Sequence, residues 1–363
     1  MGRKLRHLLI FLLIILKEPN MPEAGCSGRR WKYKCQLSDL RSIPSNVPAS
    51  EIYQLDLRGD HISTLRPGTF ISLSRLEQLD LCQNGIIYIE PGAFKGLHRN
   101  LNSLSLNNNY IKEIQPDTIA NLPKLRILEL SNNFITMLQS GAFASLPELR
   151  ELSLSYNNIT EIQPGAFANL PQLQVLKLFR NNITKIQSGT FANLLQLKVL
   201  MLFRNNITMN QPGPFATLPQ LKELDLSYNK ITKIQSGAFE NLPELRELSL
   251  LFNKITMIQL GAFSNLSRLQ KLDLKSNKIT NINSSAFANL RQLQSLDLRS
   301  NKLVAITPSV YGLSASIQTI KLYGNPWQCD CGMLPFKIYI TKVTAFKRLI
   351  VCARPPEFQG QSL

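Results

Sequence analysis

Between residues 52 and 327 the apolar and polar positions follow one recurring order, L-x-x-L-x-L-x-x-N-x-I. Copies start at Ile52, Leu76, Leu101, Leu125, Leu149, Leu173, Leu197, Leu221, Leu245, Leu269 and Leu293, and a partial copy starts at Ile317. We number these repeats one to eleven, with the partial copy as the twelfth. The step is 24 residues throughout, except for one of 25 before Leu101. The L-x-L alternation predicts a short strand with one buried face. Eleven such strands at a fixed step predict a stack in which strands lie side by side, about 4.8 Å apart, as a parallel sheet.

The rest of the unit fits the same stack. The ninth position is Asn in every copy from Asn84 to Asn301 and Asp60 in the first. Its amide is expected to turn inward and satisfy backbone groups where the chain leaves the strand. Further on, Phe70, Phe94, Phe143, Phe167, Phe191, Phe215, Phe239, Phe263 and Phe287 share one slot, which Ile119 and Tyr311 complete. They predict an apolar column along the convex side. One repeat cannot bury its apolar face alone, but a stack can. The expected fold is an α/β-class repeat: a curved solenoid with a parallel concave sheet, an irregular convex side and capped ends. Repeat seven departs from the pattern, with Asn210 in an Ile slot and Pro214 before Phe215. An unpaired buried amide costs about 1–3 kcal/mol, so Met209 is expected to turn inward instead.

The chain ends divide the sequence further. Arg3, Lys4 and Arg6 precede an apolar run from Leu8 to Leu16, which has the length of a secretory leader and is too short to span a bilayer. Residues 1–25 are expected to be that leader, 26–51 an N-terminal cap, 52–316 the repeats and 317–363 a C-terminal cap. No later stretch is apolar and long enough for a membrane span. Six cysteines, Cys26, Cys35, Cys82, Cys329, Cys331 and Cys352, fit an extracellular chain. The net charge of +17 favours anionic partners without choosing among glycan, lipid, nucleic acid and acidic protein.

Residues Cys26 to Pro48, and Asn325-Pro-Trp-Gln-Cys-Asp-Cys331 with Cys352 and Pro355 beyond, read as cysteine-rich caps. Repeats and caps together resemble the extracellular leucine-rich repeat family of the 24-residue type, which includes variable lymphocyte receptors, Slit-like proteins and Toll-like receptor ectodomains. The resemblance implies disulfides Cys26–Cys35 and Cys329–Cys352, and a role in pathogen or antigen recognition. Two departures stand out: the first cap carries two cysteines where the family has four, and Cys331 lacks its partner before Leu363. A further segment is therefore expected beyond Leu363. Cys82 cannot serve Cys331, because ten strands at sheet spacing are roughly 48 Å and a disulfide needs Cα atoms within about 7 Å.

Catalysis finds no support. The histidines are His7, His61 and His98, and there is no phosphate loop, metal-spaced cluster or cofactor motif. Binding is the alternative, and the third, fifth, seventh and eighth positions of each repeat point onto the concave sheet. In repeats five to nine the last two of these carry Tyr156, Phe179, Arg180, Phe203, Arg204, Tyr228, Leu251 and Phe252. Such a cluster has the composition of a binding hot spot; ordinary packing of rings on neighbouring repeats would give the same residues. The tenth position is Asn158, Asn182 and Asn206 in repeats five to seven, each an N-glycosylation acceptor, then Lys230, Lys254, Lys278 and Lys302 in repeats eight to eleven. Asn265 and Asn283 are further acceptors. The lysine column, with Lys337, Lys342, Lys347 and Arg348 of the C-terminal cap, is a candidate polyanion site, or a plain solvated edge. Cys82, at a seventh position, is expected to face the concave solvent. The expected partner is an extracellular protein or microbial surface held on the middle repeats. An acidic glycan such as heparan sulfate is the alternative, and nucleic acid is the weakest on charge alone.

Overall fold

The computed structural model describes residues 25–362 except 30, 37–46, 117, 120, 144–145, 210–212, 284–285, 288, 307–316 and 341–349. The leader up to residue 24, Asn210, Ser285, Tyr311, Lys342, Lys347 and Arg348 thus lie outside the described residues. The chain enters through an antiparallel hairpin, β1 (Gly25–Arg29) and β2 (Lys32–Gln36), in which Cys26 faces Cys35 across the ladder and bonds to it. β2 then pairs in parallel with β3 (Gln54–Asp56), the strand of repeat one. Each later repeat adds one parallel strand, giving a 14-stranded sheet. Register is kept throughout: Leu128, Leu152, Leu176 and Leu200 stand opposite one another on successive strands. A slip of one residue would turn every leucine outward.

The strands of the repeats are three residues long because the backbone turns at the eighth position. There φ is positive, for example 54° at Asn132, Arg180 and Tyr228, and 78° at Gly59. The ninth-position Asn closes that turn. The Asn181 side chain accepts from the Ile159 amide at 3.0 Å and donates to the carbonyls of Leu154 and Leu178, each at 3.0 Å. The pattern repeats from Asn84 to Asn325, so each amide ties its own repeat to the one before. Behind the sheet the phenylalanines form the expected spine. Rings 143, 167, 191, 215, 239, 263 and 287 stack at 5.9–6.4 Å between centroids. Buried Ile119 interrupts that spine.

The convex side is mostly turns, with short parallel pairs such as Thr64–Leu65 beside Tyr88–Ile89. Met209 is buried, as its neighbour's polarity suggested. At the far end Trp327 is fully buried and its indole N–H donates to the Leu322 carbonyl at 3.1 Å. The Cys329–Cys352 disulfide and helix α1 (Leu334–Ile340) close the cap over it. Among the described residues no helix is long and apolar enough to cross a membrane, and no cluster of side chains could hold a metal ion.

Candidate ligand-binding face

The eight residues expected on the concave face of repeats five to nine do come together. Phe179 and Phe203 stack face to face, centroids 4.4 Å apart, and Tyr156 meets Phe179 edge-on at 5.4 Å. Tyr228 and Phe252 form a second stack at 4.7 Å. The two arginines are laid on the tyrosines: Arg180 sits 4.9 Å from the Tyr156 ring centre and Arg204 5.0 Å from that of Tyr228. Both readings of the rings therefore hold in part. The phenylalanines at the seventh position and Leu251 are half-buried against neighbours, while Tyr156, Tyr228, Phe252 and both arginines are exposed. Beneath the first ring lies Ser155, fully buried, with no hydrogen-bond partner for its hydroxyl.

Backbone geometry adds information about these side chains. Tyr156, Arg180, Arg204, Tyr228 and Phe252 all sit at the left-handed eighth position, with φ between 52° and 56°. An L-residue there is strained by about 1–2 kcal/mol, and Gly and Asn relieve it best. Four other repeats use such residues at this place, Gly59, Asn108, Asn132 and Gly324, and three carry Gln83, Ser276 and Ser300. Repeats five to nine instead carry three aromatics and two arginines, so local backbone preference did not select them.

The same concave face carries carboxylates beside the later rings. A depression of about 240 Å³ across repeats eight to twelve is lined by Glu223, Asp225, Glu247, Asp273 and Asp297, with Lys271 and Lys321. Lys271 pairs with Glu247 at 2.6 Å, and Arg299 forms an ion pair with Asp297. Burial holds the carboxyls of Glu223 and Asp273 above their ordinary values, and the neighbouring charges of Glu247 and Asp297 push the same way. These residues occupy the third and fifth positions of the repeat. Reading those columns down the sequence, as was done for the seventh and eighth, would have exposed the trough.

Elsewhere the expected columns are present. Asn158 and Asn182 are exposed and Asn206 half-buried. Lys230, Lys254, Lys278 and Lys302 are all exposed along the same flank, their amides bonded to the preceding repeat at 2.9 Å. Asn265 and Asn283 are exposed on other edges. Cys82 departs from expectation. It is half-buried, its thiol lies 2.8 Å from the Ser105 hydroxyl, and burial together with the Asp80 charge pushes its pKa up to about 11. The exposed free thiol is Cys331.

With this geometry in hand, comparison with known proteins places the solenoid. The family described as "Leucine rich repeat" matches residues 50–99, 99–159, 147–207, 196–255 and 243–303. No curated protein matches the chain. Among solved structures, the TLR13 chain of a TLR13–ssRNA13 complex is 27% identical, with a TM-score of 0.64, covering 87% of this chain and 53% of its own. A chain from the octameric complex of latrophilin 3, Unc5D and FLRT2 is 25% identical, with a TM-score of 0.71, over 93% of this chain and 95% of that one. One from the plant peptide hormone receptor RGFR1 in complex with RGF2 is 28% identical, with a TM-score of 0.60, over 77% and 44%. This chain thus spans about half the length of the TLR13 chain it matches.

Proposed function

This chain belongs to the leucine-rich repeat family, and from that premise we propose that it is an extracellular recognition protein. In this reading the concave face of repeats five to nine holds a protein or microbial-surface ligand, as in innate-immune recognition. One observation carries it: five strained backbone positions in succession hold exposed rings and guanidiniums stacked into a single surface. Exposed, mutually stacked rings and guanidiniums on successive repeats point to binding. The similar structures support a binding role, since they are complexes with RNA, with other proteins and with a peptide hormone. Among these classes the acidic trough beside the rings disfavours a nucleic acid. Replacing Phe179 and Phe203 together with Ala tests the reading. A panel of microbial surfaces and extracellular proteins, probed with the secreted chain, should lose its positives by tenfold or more while the circular dichroism spectrum is kept. Unchanged affinity would sink the concave site.

The flank supports a second reading. Lys230, Lys254, Lys278 and Lys302 form one exposed column, and among the described residues none of the four has a carboxylate at ion-pair distance. An acidic glycan would relieve their mutual repulsion. Heparin retention that fades steeply with salt, and falls when all four become Ser, would establish it; elution of the quadruple variant at the wild-type salt concentration would remove it.

A further inference from the structure

The concave face carries two charge-bearing zones in sequence along the solenoid axis. In repeats six and seven, Arg180 and Arg204 are exposed, lie on tyrosine rings, and have no carboxylate at ion-pair distance among the described residues. In repeats eight to ten, Glu223, Asp225 and Asp273 line the depression and, among the described residues, have no basic side chain at that distance. Lys271 and Arg299 are committed to Glu247 and Asp297, while Lys275, whose charge also acts on Asp273, has no carboxylate at that distance among the described residues. The Tyr228–Phe252 stack lies beside the acidic zone in repeats eight and nine, at the eighth position where the carboxylates hold the third and fifth. A basic surface in repeats six and seven is therefore followed along one sheet by rings and carboxylates side by side.

We infer that the ligand segment seated here is an extended peptide of mixed charge from a protein partner. An acidic residue of it meets Arg180 and Arg204, an apolar stretch covers the rings, and a basic residue enters the trough at Asp273. The inference rests on the concave-face reading above and adds the chemistry and polarity of what is held. Spacing makes it quantitative. From the eighth position of repeat six or seven to the fifth of repeat ten is three or four strand spacings along the axis and three residues across it, about 17–22 Å, which an extended chain covers in roughly five to seven residues. A uniformly anionic ligand would meet the unpaired carboxylates, and a uniformly cationic one the unpaired arginines. Charge complementarity excludes both from spanning the whole face. A guanidinium is suited to hold a carboxylate in two parallel hydrogen bonds, which the tyrosine ring beneath each arginine leaves its edge free to make.

The test is selection from a random dodecapeptide display library on the immobilised full chain, with heparin and polylysine as separate probes. Enriched peptides should carry an acidic and a basic residue roughly five to seven positions apart around an apolar stretch. Arg180→Ala with Arg204→Ala should weaken them about tenfold and abolish the preference for the acidic residue. Asp225→Asn with Asp273→Asn should abolish the preference for the basic one. Enriched peptides of a single charge sign, or without charge pattern, would overturn the inference even if they still depend on Phe179 and Phe203. Peptides of mixed charge that bind the Phe179→Ala, Phe203→Ala variant as well as the wild type would instead remove the aromatic site itself. Absence of any enrichment, with heparin bound through the lysine flank, would overturn it in favour of the glycan.

Discussion

Replacing Asn205 with Ala removes a side chain that holds three buried backbone groups. It accepts from the Ile183 amide at 3.0 Å and donates to the Leu178 and Leu202 carbonyls, each at 3.0 Å. At about 1 kcal/mol net for each bond, the loss is about 3 kcal/mol, and more where the stranded groups stay dry. Arg204, the residue before it, has the opposite balance. Arg204→Asn forfeits a cation–π contact worth about 0.5–1 kcal/mol but relaxes a φ of 56°, a gain of about 1 kcal/mol because Asn tolerates the left-handed region. The expected net change is within about 0.5 kcal/mol of zero. The substitution creates no glycan acceptor, since Asn206 stands at the third place.

Urea unfolding followed by far-ultraviolet circular dichroism gives the comparison, with hydrogen exchange by mass spectrometry reporting on repeats six to eight. Exchange is needed because stability in a solenoid is a sum of repeat and interface terms, and a defect can open locally first. Asn205→Ala should lower the midpoint and deprotect the turns of repeats six and seven; Arg204→Asn should do neither, yet weaken ligand binding. If Arg204→Asn destabilises the protein by more than 1 kcal/mol, the claim that fold did not select the eighth-position side chains is wrong. If Asn205→Ala is neutral, the amide ladder is not what ties the repeats together.

Four further outcomes are expected. Iodoacetamide at pH 8 should label Cys331 readily and Cys82 slowly, because a thiol with a pKa of about 11 is about one part in a thousand thiolate there; equal labelling in peptide maps would contradict the burial of Cys82. The raised carboxyls of Glu223 and Asp273 bind protons more tightly folded than unfolded, so their contribution falls as pH rises through the window above the ordinary carboxyl range. Glu223→Gln with Asp273→Asn should therefore raise the urea midpoint at pH 7 relative to wild type and leave it nearly unchanged at pH 4. Asp56, held low by its hydrogen bonds with Arg58, works the other way, and Asp56→Asn should lose stability at pH 7 but not below its folded pKa. Finally, the mass removed by deglycosylation should shrink with Asn158→Gln and with Asn182→Gln; an unchanged difference would clear that flank for ligands.

Register explains how much was legible from residues alone. A 24-residue step in L-x-x-L-x-L-x-x-N determines which side chains share a column, so the sheet, the amide ladder, the phenylalanine spine and the eight residues of the aromatic face could all be placed. What escaped depends on relations across columns or on backbone shape. The left-handed eighth position was signalled by Gly59, Asn108, Asn132 and Gly324, residues that favour positive φ. It gains meaning only when Arg180 and Tyr228 are seen to share it. Cys82 was placed on the right face, but its burial depends on Ser105 one strand away, and position alone does not give depth. The acidic trough sits in the third and fifth columns, where Glu223 and Asp225 read singly as solvated surface. Only lateral stacking sets them beside Glu247, Asp273 and Asp297 and raises the carboxyls that are buried. Net charge misled for the same reason. A value of +17 describes the whole chain, whereas a ligand meets a face, and this face is basic in repeats six and seven and acidic in eight and nine. The lysines that favour a polyanion stand on the flank instead, so a glycan and a peptide partner would compete only if one reached around the edge of the sheet.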